Sequence, residues 1–386
     1  MSGYFEGNAI ELLENGVEYF PALLAEIASA RQEIFIETYI FLPDRTGRAV
    51  AAALLQAAAR GVTVRVLVDG FGSRRFVAEL MPELQAGGVS VQVYRREIRA
   101  LSLRRHRLRR LHRKLAVIDG RVAFVGGINI VDDYEPDGPP HPRHDYAVRV
   151  EGPLLQSIHY AVRHLWRLVA WAGLRSRRLE PVLPMLARPA QAGRIRAAFL
   201  IRDNLRHRRD IEQAYLEALT GARNEVIIAC AYFFPGRRFR QALTDAARRG
   251  VRVTLLLQGL TDHPLLLHAT RALYPHLMSC GIRLFEYRQS YLHAKVAVVD
   301  GVWATVGSSN IDPFSLLLAR EANVLIDDAR FAGQLRASLQ RAMQAGAVEL
   351  REEALRRLPL VRRMASWISL QCVRMAIGLA GYRGEH

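Results

Sequence analysis

His112-Arg-Lys-Leu-Ala-Val-Ile-Asp-Gly120 and His293-Ala-Lys-Val-Ala-Val-Val-Asp-Gly301 are one motif, His-x-Lys-x4-Asp-Gly, written twice at an offset of 181 residues. Shortly after each closing glycine, Gly126-Gly127-Ile128-Asn129 matches Gly307-Ser308-Ser309-Asn310 at the same offset. The match continues upstream. Glu33 to Pro43 (EIFIETYIFLP) parallels Glu225 to Pro235 (EVIIACAYFFP), Arg60-Gly61-Val-Thr-Val-Arg-Val-Leu parallels Arg249-Gly250-Val-Arg-Val-Thr-Leu-Leu, and Gly88 to Tyr94 parallels Gly281 to Tyr287. Self-similarity this long reads as a duplication.

Within each copy, β-branched runs of strand length alternate with Ala/Leu/Arg stretches of helical period. Ile34 to Phe41, Thr63 to Val68, Val89 to Tyr94, Leu115 to Ile118 and Ala123 to Val125 read as strands. Gly47 to Ala59 and Arg238 to Arg249 read as helices, ended by Gly61 and Gly250. Alternation of this kind predicts an α/β fold: two duplicated α/β/α sandwich domains with mixed, mostly parallel sheets. The expected division is a first domain over residues 1–172, a proline- and arginine-rich linker at 173–194, a second domain at 195–350 and a helical C-terminal extension at 351–386.

The composition is globular, 50% hydrophobic and 24% charged, so disorder is excluded. Of 54 basic residues only Lys114 and Lys295 are lysines, and the net charge is +17. Such an excess either draws in polyanions and anionic lipid or reflects arginine usage alone. Cys230, Cys280 and Cys372 stand far apart and read as buried thiols in a reducing compartment, without zinc-ligand spacing. The acidic N-terminus is unlike a signal peptide, and no run of 18 purely apolar residues occurs.

Residues two apart on a strand project to one face, so each motif aims an imidazole and an ammonium at the same ligand. Imidazole supplies a nucleophile or proton carrier near neutral pH, and lysine a fixed charge for a phosphate oxygen. Asn129 and Asn310 add neutral donors for charge developing on phosphorus oxygens. A lone His-x-Lys on a core strand could be structural. Two in register, holding the only two lysines of the chain, point to phosphodiester chemistry, since a buried ammonium is costly unless used. The catalytic strands carry no clustered ligand set, so no metal or cofactor is expected.

HRKLAVIDG followed by GGIN, and HAKVAVVDG followed by GSSN, closely resemble the phospholipase D superfamily. Within it, the likeness is to bacterial cardiolipin synthases of the short type that lack N-terminal membrane spans. It covers nearly the whole chain, including Gly7-Asn8 with the ELLENGVEYFPALLAEIASAR that follows, Arg202-Asp-Asn204 with DIEQAY, and AYFFPG at Ala231 to Gly236. The resemblance implies that the two copies meet across a pseudo-twofold axis and build one active site at the domain interface. It implies a two-step displacement through a phosphohistidine, with His112 favoured as nucleophile, His293 as acid/base, and Lys114, Lys295, Asn129 and Asn310 holding the phosphate. It further implies an acidic residue downstream of each motif that orients that motif's histidine. Asp145 and Glu321 fit this place, the alternative being solvated turn acids. The motif aspartates Asp119 and Asp300 belong to the catalytic signature, yet just before glycine at strand ends they read first as turn-securing residues.

The reaction so implied is transfer of a phosphatidyl group, from phosphatidylglycerol, to a phospholipid hydroxyl with release of glycerol. The alternative is a phospholipase D or nuclease using the same residues. Arg95 to Leu111, with Arg104, Arg105, Arg107, Arg109 and Arg110, sits just before the first motif and suits an anionic membrane surface, though a solvated loop would look the same. Aromatic residues are not interleaved with these arginines, which disfavours nucleic acid. Leu358 to Tyr382 is apolar but broken by Arg362, Arg363, Gln371 and Arg374, so it reads either as an interfacial helix or as one docked on the core. The expected location is peripheral, on the cytoplasmic side of the cell membrane.

Overall fold

A computed structural model describes residues 3–95, 109–134, 139–172, 190–203, 206–260, 264–312, 319–353 and 359–379. The first half runs β1 (Phe5–Glu14), α1 (Asn15–Ser29), β2 (Glu33–Thr38), α2 (Arg45–Ala59), β3 (Thr63–Asp69), α3 (Arg74–Glu79), α4 (Met81–Ala86), β4 (Ser90–Tyr94), β5 (Arg110–Leu111), β6 (Lys114–Ile118), β7 (Val122–Gly126), β8 (Tyr146–Glu151) and α5 (Leu155–Ala172). The second half repeats the plan: β9 (Ile195–Arg202), α6 (Asp210–Gly221), β10 (Glu225–Cys230), α7 (Arg237–Arg248), β11 (Arg252–Gln258), α8 (Pro264–Arg271), α9 (Tyr274–Ser279), β12 (Arg283–Tyr287), β13 (Lys295–Val299), β14 (Trp303–Gly307), β15 (Ala319–Asp327), α10 (Ala329–Gly346) and β16 (Ala347–Glu349), before α11 (Leu360–Leu379).

The crossover helices form where the sequence supplies a cap and an apolar stripe. Asp44 caps α2 by accepting from the Gly47 N–H at 2.8 Å, and Val50, Ala51, Leu54 and Ala57 bury its inner face. The chain leaves α2 and α7 through Gly61 and Gly250 at φ +86° and +91°, a backbone that side chains resist.

The fold is α/β and duplicated, but the strand directions differ from the expectation. Among the described strands, parallel pairing is confined to β2–β3–β4, its twin β10–β11–β12, and the short β5 beside β15. The remaining strand pairs are antiparallel; two of them, β6–β7 and β13–β14, must be so because tight turns at Asp119-Gly120 and Asp300-Gly301 join them, and a tight turn can only reverse the chain. Nor do the halves keep separate sheets. β1 pairs antiparallel with β9 and β9 with β15, which merges everything into one sheet with β4 at one edge and β16 at the other.

Helices α1 to α4 cover the outer face of the first half over one core, and α6 to α9 cover that of the second over another. A third core draws inward-facing residues from both halves: Val117, Val125 and Val148 with α5 on one side, Val296, Val298 and Val306 with α10 on the other. Residues 173–189 of the expected linker lie outside the described residues; the Ala192 and Gly193 N–H groups donate to the Gly7 carbonyl within β1. Only Cys230 is a fully buried thiol. Cys280 and Cys372 are partly exposed, on the rim of α9 and on α11.

Candidate active site

The two histidines lie just outside their strands rather than on them, at the entries to β6 and β13, and the main chain of the opposite half fixes each. β5 runs parallel to the start of β15, and the His112 N–H donates to the Arg320 carbonyl at 3.0 Å. In the mirror arrangement Leu292 bridges His144, and the His293 N–H donates to the His144 carbonyl at 2.7 Å. Two equivalent β-bridges therefore lock the motifs against each other about the pseudo-twofold axis.

The side chains cross in the same way. His112 Nδ1 lies 3.0 Å from the carboxylate of Glu321, and His293 Nδ1 lies 2.6 Å from Asp145 Oδ2. This corrects the expected pairing: each acid serves the histidine of the other repeat. Asp145 and Glu321 follow their motifs by 33 and 28 residues, a separation that does not reveal on which side of the axis they end. A carboxylate only accepts, so each ring donates from Nδ1 and presents Nε2 as a lone pair.

The four cations and carboxylates form one electrostatic unit. Lys114 and Lys295 are buried, and each donates from Nζ to the carbonyl of its own motif histidine, Lys114 at 2.8 Å. Burial, with Lys295 nearby, holds the Lys114 ammonium down to about 7, and burial lowers Lys295 too. Burial lowers both imidazoles, His293 well below the usual value, with Lys295, Lys114 and His112 adding to its depression. Both rings are thereby biased toward their neutral forms. Burial pushes the Asp145 carboxyl up. For Glu321 burial acts the same way, but the His112 ring, Lys114 and the Ser308 hydroxyl outweigh it and bring the carboxyl down.

The surroundings of the two acids are not symmetric. Gly127 packs so closely on Asp145 that a Cβ there would lie 2.2 Å from Oδ1. At the matching position Ser308 donates its hydroxyl to Glu321 Oε2 at 2.5 Å. Asp145 is held instead by its backbone: its N–H donates to Asn15 Oδ1 at 3.0 Å and its carbonyl accepts from the Asn15 N–H at 2.9 Å, with Asn15 at φ +62°. Between the motif positions, Arg113 turns away from the site onto buried Glu37 at 2.9 Å, whereas Ala294 has no such partner to make.

Asn129 and Asn310 are buried, and their Oδ1 atoms accept from the N–H groups of Ile40 at 3.1 Å and Tyr232 at 3.4 Å. That leaves each NH2 as the donating end. Asp119 and Asp300 do not reach the site. At the far end of β6, Asp119 takes φ +52° and accepts from Arg31, Gln32 and Glu33; Asp300 does the same with Arg223, Asn224 and Glu225. They are therefore not catalytic side chains, although they belong to the signature: they tie the β6–β7 and β13–β14 turns to the starts of β2 and β10.

Sequence reasoning missed Tyr39, Asn15 and Ser308. The Tyr39 ring lies 5.0 Å from the His112 ring and 5.5 Å from Lys114 Nζ, a contact only the first half has because the repeat places Ala231 there. The mismatch at aligned positions was the available signal for Tyr39, and the Gly127–Ser308 mismatch for Ser308. Asn15 carries no motif, and nothing in the sequence marked it. Arg104, Arg105 and Arg107 lie outside the described residues.

Two repeats that complete each other's histidines in one sheet define a two-motif phospholipase D-like protein. The family model for the cardiolipin synthase PLD-like domain matches residues 23–135 and 215–343. Cardiolipin synthase B of Escherichia coli strain K12 is 42% identical over 99% of this chain and 91% of its own length, and that of Salmonella typhi 46% identical over 88% and 81%. The chain belongs to the cardiolipin synthase family of the phospholipase D superfamily, and is an enzyme of that class. Among solved structures, the phosphatidylserine synthase of Haemophilus influenzae Rd KW20 shares the fold at TM-score 0.73 and 13% identity, covering 96% of this chain and 95% of that one.

Proposed function

We propose that the chain makes cardiolipin by moving a phosphatidyl group between two molecules of phosphatidylglycerol, with His112 as nucleophile. The observation that supports a double displacement is the crossed pair of buttressed imidazoles, each with Nε2 as its free nitrogen. In the first step His112 Nε2 attacks phosphorus, the bond to the glycerol oxygen breaks, and His293 gives that oxygen a proton. In the second step the glycerol hydroxyl of another phosphatidylglycerol loses its proton to His293 as its oxygen attacks, and the N–P bond breaks. One phosphodiester replaces another, so no external energy source is needed.

Burial and the cations around it, Lys295 first, disfavour the charged form of His293, and a bound phosphate opposes that bias. An anion placed among Lys114, Lys295 and the two rings favours their charged forms, which makes His293 a proton donor only once substrate is bound. Asn129 and Asn310 stabilise the non-bridging oxygens in both steps. The family membership and the relatives' names support cardiolipin as the product.

Purified enzyme given phosphatidylglycerol in mixed micelles should yield cardiolipin and glycerol in equal amounts. Phosphatidic acid without cardiolipin would make it a phospholipase D, and cleavage of DNA in a parallel reaction would make it a nuclease. Wild-type enzyme quenched during turnover should carry an acid-labile phosphatidyl adduct on His112, whereas an adduct on His293 would reverse the assigned roles.

A further inference from the structure

α11 shows two apolar faces and uses only one. Leu370 and Val373 are buried against the outer core of the second half, with α8 beneath them. On the opposite side Val361, Met364, Ile368 and Met375 form a stripe at helical spacing, exposed by 50% or more, with Trp367 60% exposed beside it. Arg374 is also exposed on the flank next to Trp367. A helix that docks by one face and leaves a second face this apolar in water has a partner not yet named.

Hydrogen bonds tie α8, on which this helix packs, to the segments that carry the site. Thr270 of α8 donates to the Phe233 carbonyl at 2.7 Å, and the adjacent Tyr232 N–H holds Asn310. Gln258, at the end of β11 just before α8, accepts from the Leu292 N–H beside His293 at 3.1 Å. The first half presents a smaller apolar point at the equivalent place. Asp69, at the end of β3, accepts from Leu111 beside His112 and from Phe71, whose exposed ring lies between the guanidinium groups of Arg74 at 4.7 Å and Arg110 at 5.1 Å.

We infer that the exposed face of α11, with Phe71 across the site from it, is a membrane-docking surface that sets the two-histidine site against an anionic phospholipid bilayer. Apolar side chains with a tryptophan, flanked by arginines on a chain of net charge +17, match a bilayer whose surface is negative and whose interior is apolar. The inference rests on the lipid reading of the site, since a lipid substrate has to leave its bilayer to reach it.

The test is sedimentation of the full chain with sucrose-loaded vesicles of phosphatidylserine and phosphatidylcholine, beside turnover of phosphatidylglycerol in detergent micelles. Trp367→Glu combined with Ile368→Glu should weaken vesicle binding about tenfold or more while leaving micellar turnover near wild type. Val361→Glu, at 77% exposure and without a packing role, should weaken binding in the same direction. Undiminished vesicle binding by both variants overturns the proposal. So does a wild-type dimer in light scattering that Trp367→Glu dissociates, because the face would then be covered by a second copy. Vesicle binding without cardiolipin production would sink the proposed reaction and leave the surface standing; cardiolipin in micelles without vesicle binding would do the reverse.

Discussion

At residue scale the site works by placing charges where burial makes them reactive. The Lys114 ammonium, held to about 7, should make binding of a phosphate mimic such as tungstate weaken as pH rises through 7, because the site then loses the charge the anion needs. Calorimetric titration between pH 6 and 9 checks this, and Lys114→Met should flatten the dependence. The same depressed value makes folding stability rise with pH from about 7 to the ordinary 10.5, since in that window the unfolded chain holds a proton the folded one has released. Ser308→Ala removes the hydroxyl on Glu321 and should cut kcat about tenfold to a hundredfold, with a displaced pH profile that a packing defect would not produce. Gly127→Ala drives a methyl into Asp145 and should reduce turnover through His293, with a loss of about 1–3 kcal/mol in stability.

At element scale, the turns after β6 and β13 belong to the scaffold. Asp119 satisfies three N–H groups at the start of β2 while holding a left-handed backbone. Asp119→Ala should therefore lower stability by about 1–2 kcal/mol, read by denaturant unfolding, and change kcat little at a temperature where the protein stays folded. A thousandfold loss of kcat in well-folded protein would return the aspartate to the chemistry. The strands and crossover helices themselves were legible, because β-branched runs and Gly61 and Gly250 as stops are local signals. Strand direction was not: β1, β9 and β15 meet through pairings of distant segments, and no periodicity within a strand tells which neighbour it takes.

At the scale of the whole molecule, the two repeats are one structure. A shared central core and a continuous sheet predict a single cooperative transition in calorimetry, with equal calorimetric and van't Hoff enthalpies; two resolved transitions would contradict this. The crossed carboxylates predict that Glu321→Gln alters the imidazole nitrogen signals of His112 in NMR and leaves those of His293 in place. The repeat, the His-x-Lys pairs and the asparagines were written in the sequence, because each is a local pattern that duplication printed twice, whereas the two acids, at unequal spacings from their motifs, came from the family resemblance. Which acid meets which histidine, that the motif aspartates stand at the far ends of their strands, and that α11 keeps an apolar face uncovered were decided by tertiary structure alone. The physical reason is that a twofold axis brings together atoms that the chain holds far apart, and a hydrogen bond depends on distance in space, whatever the separation in sequence.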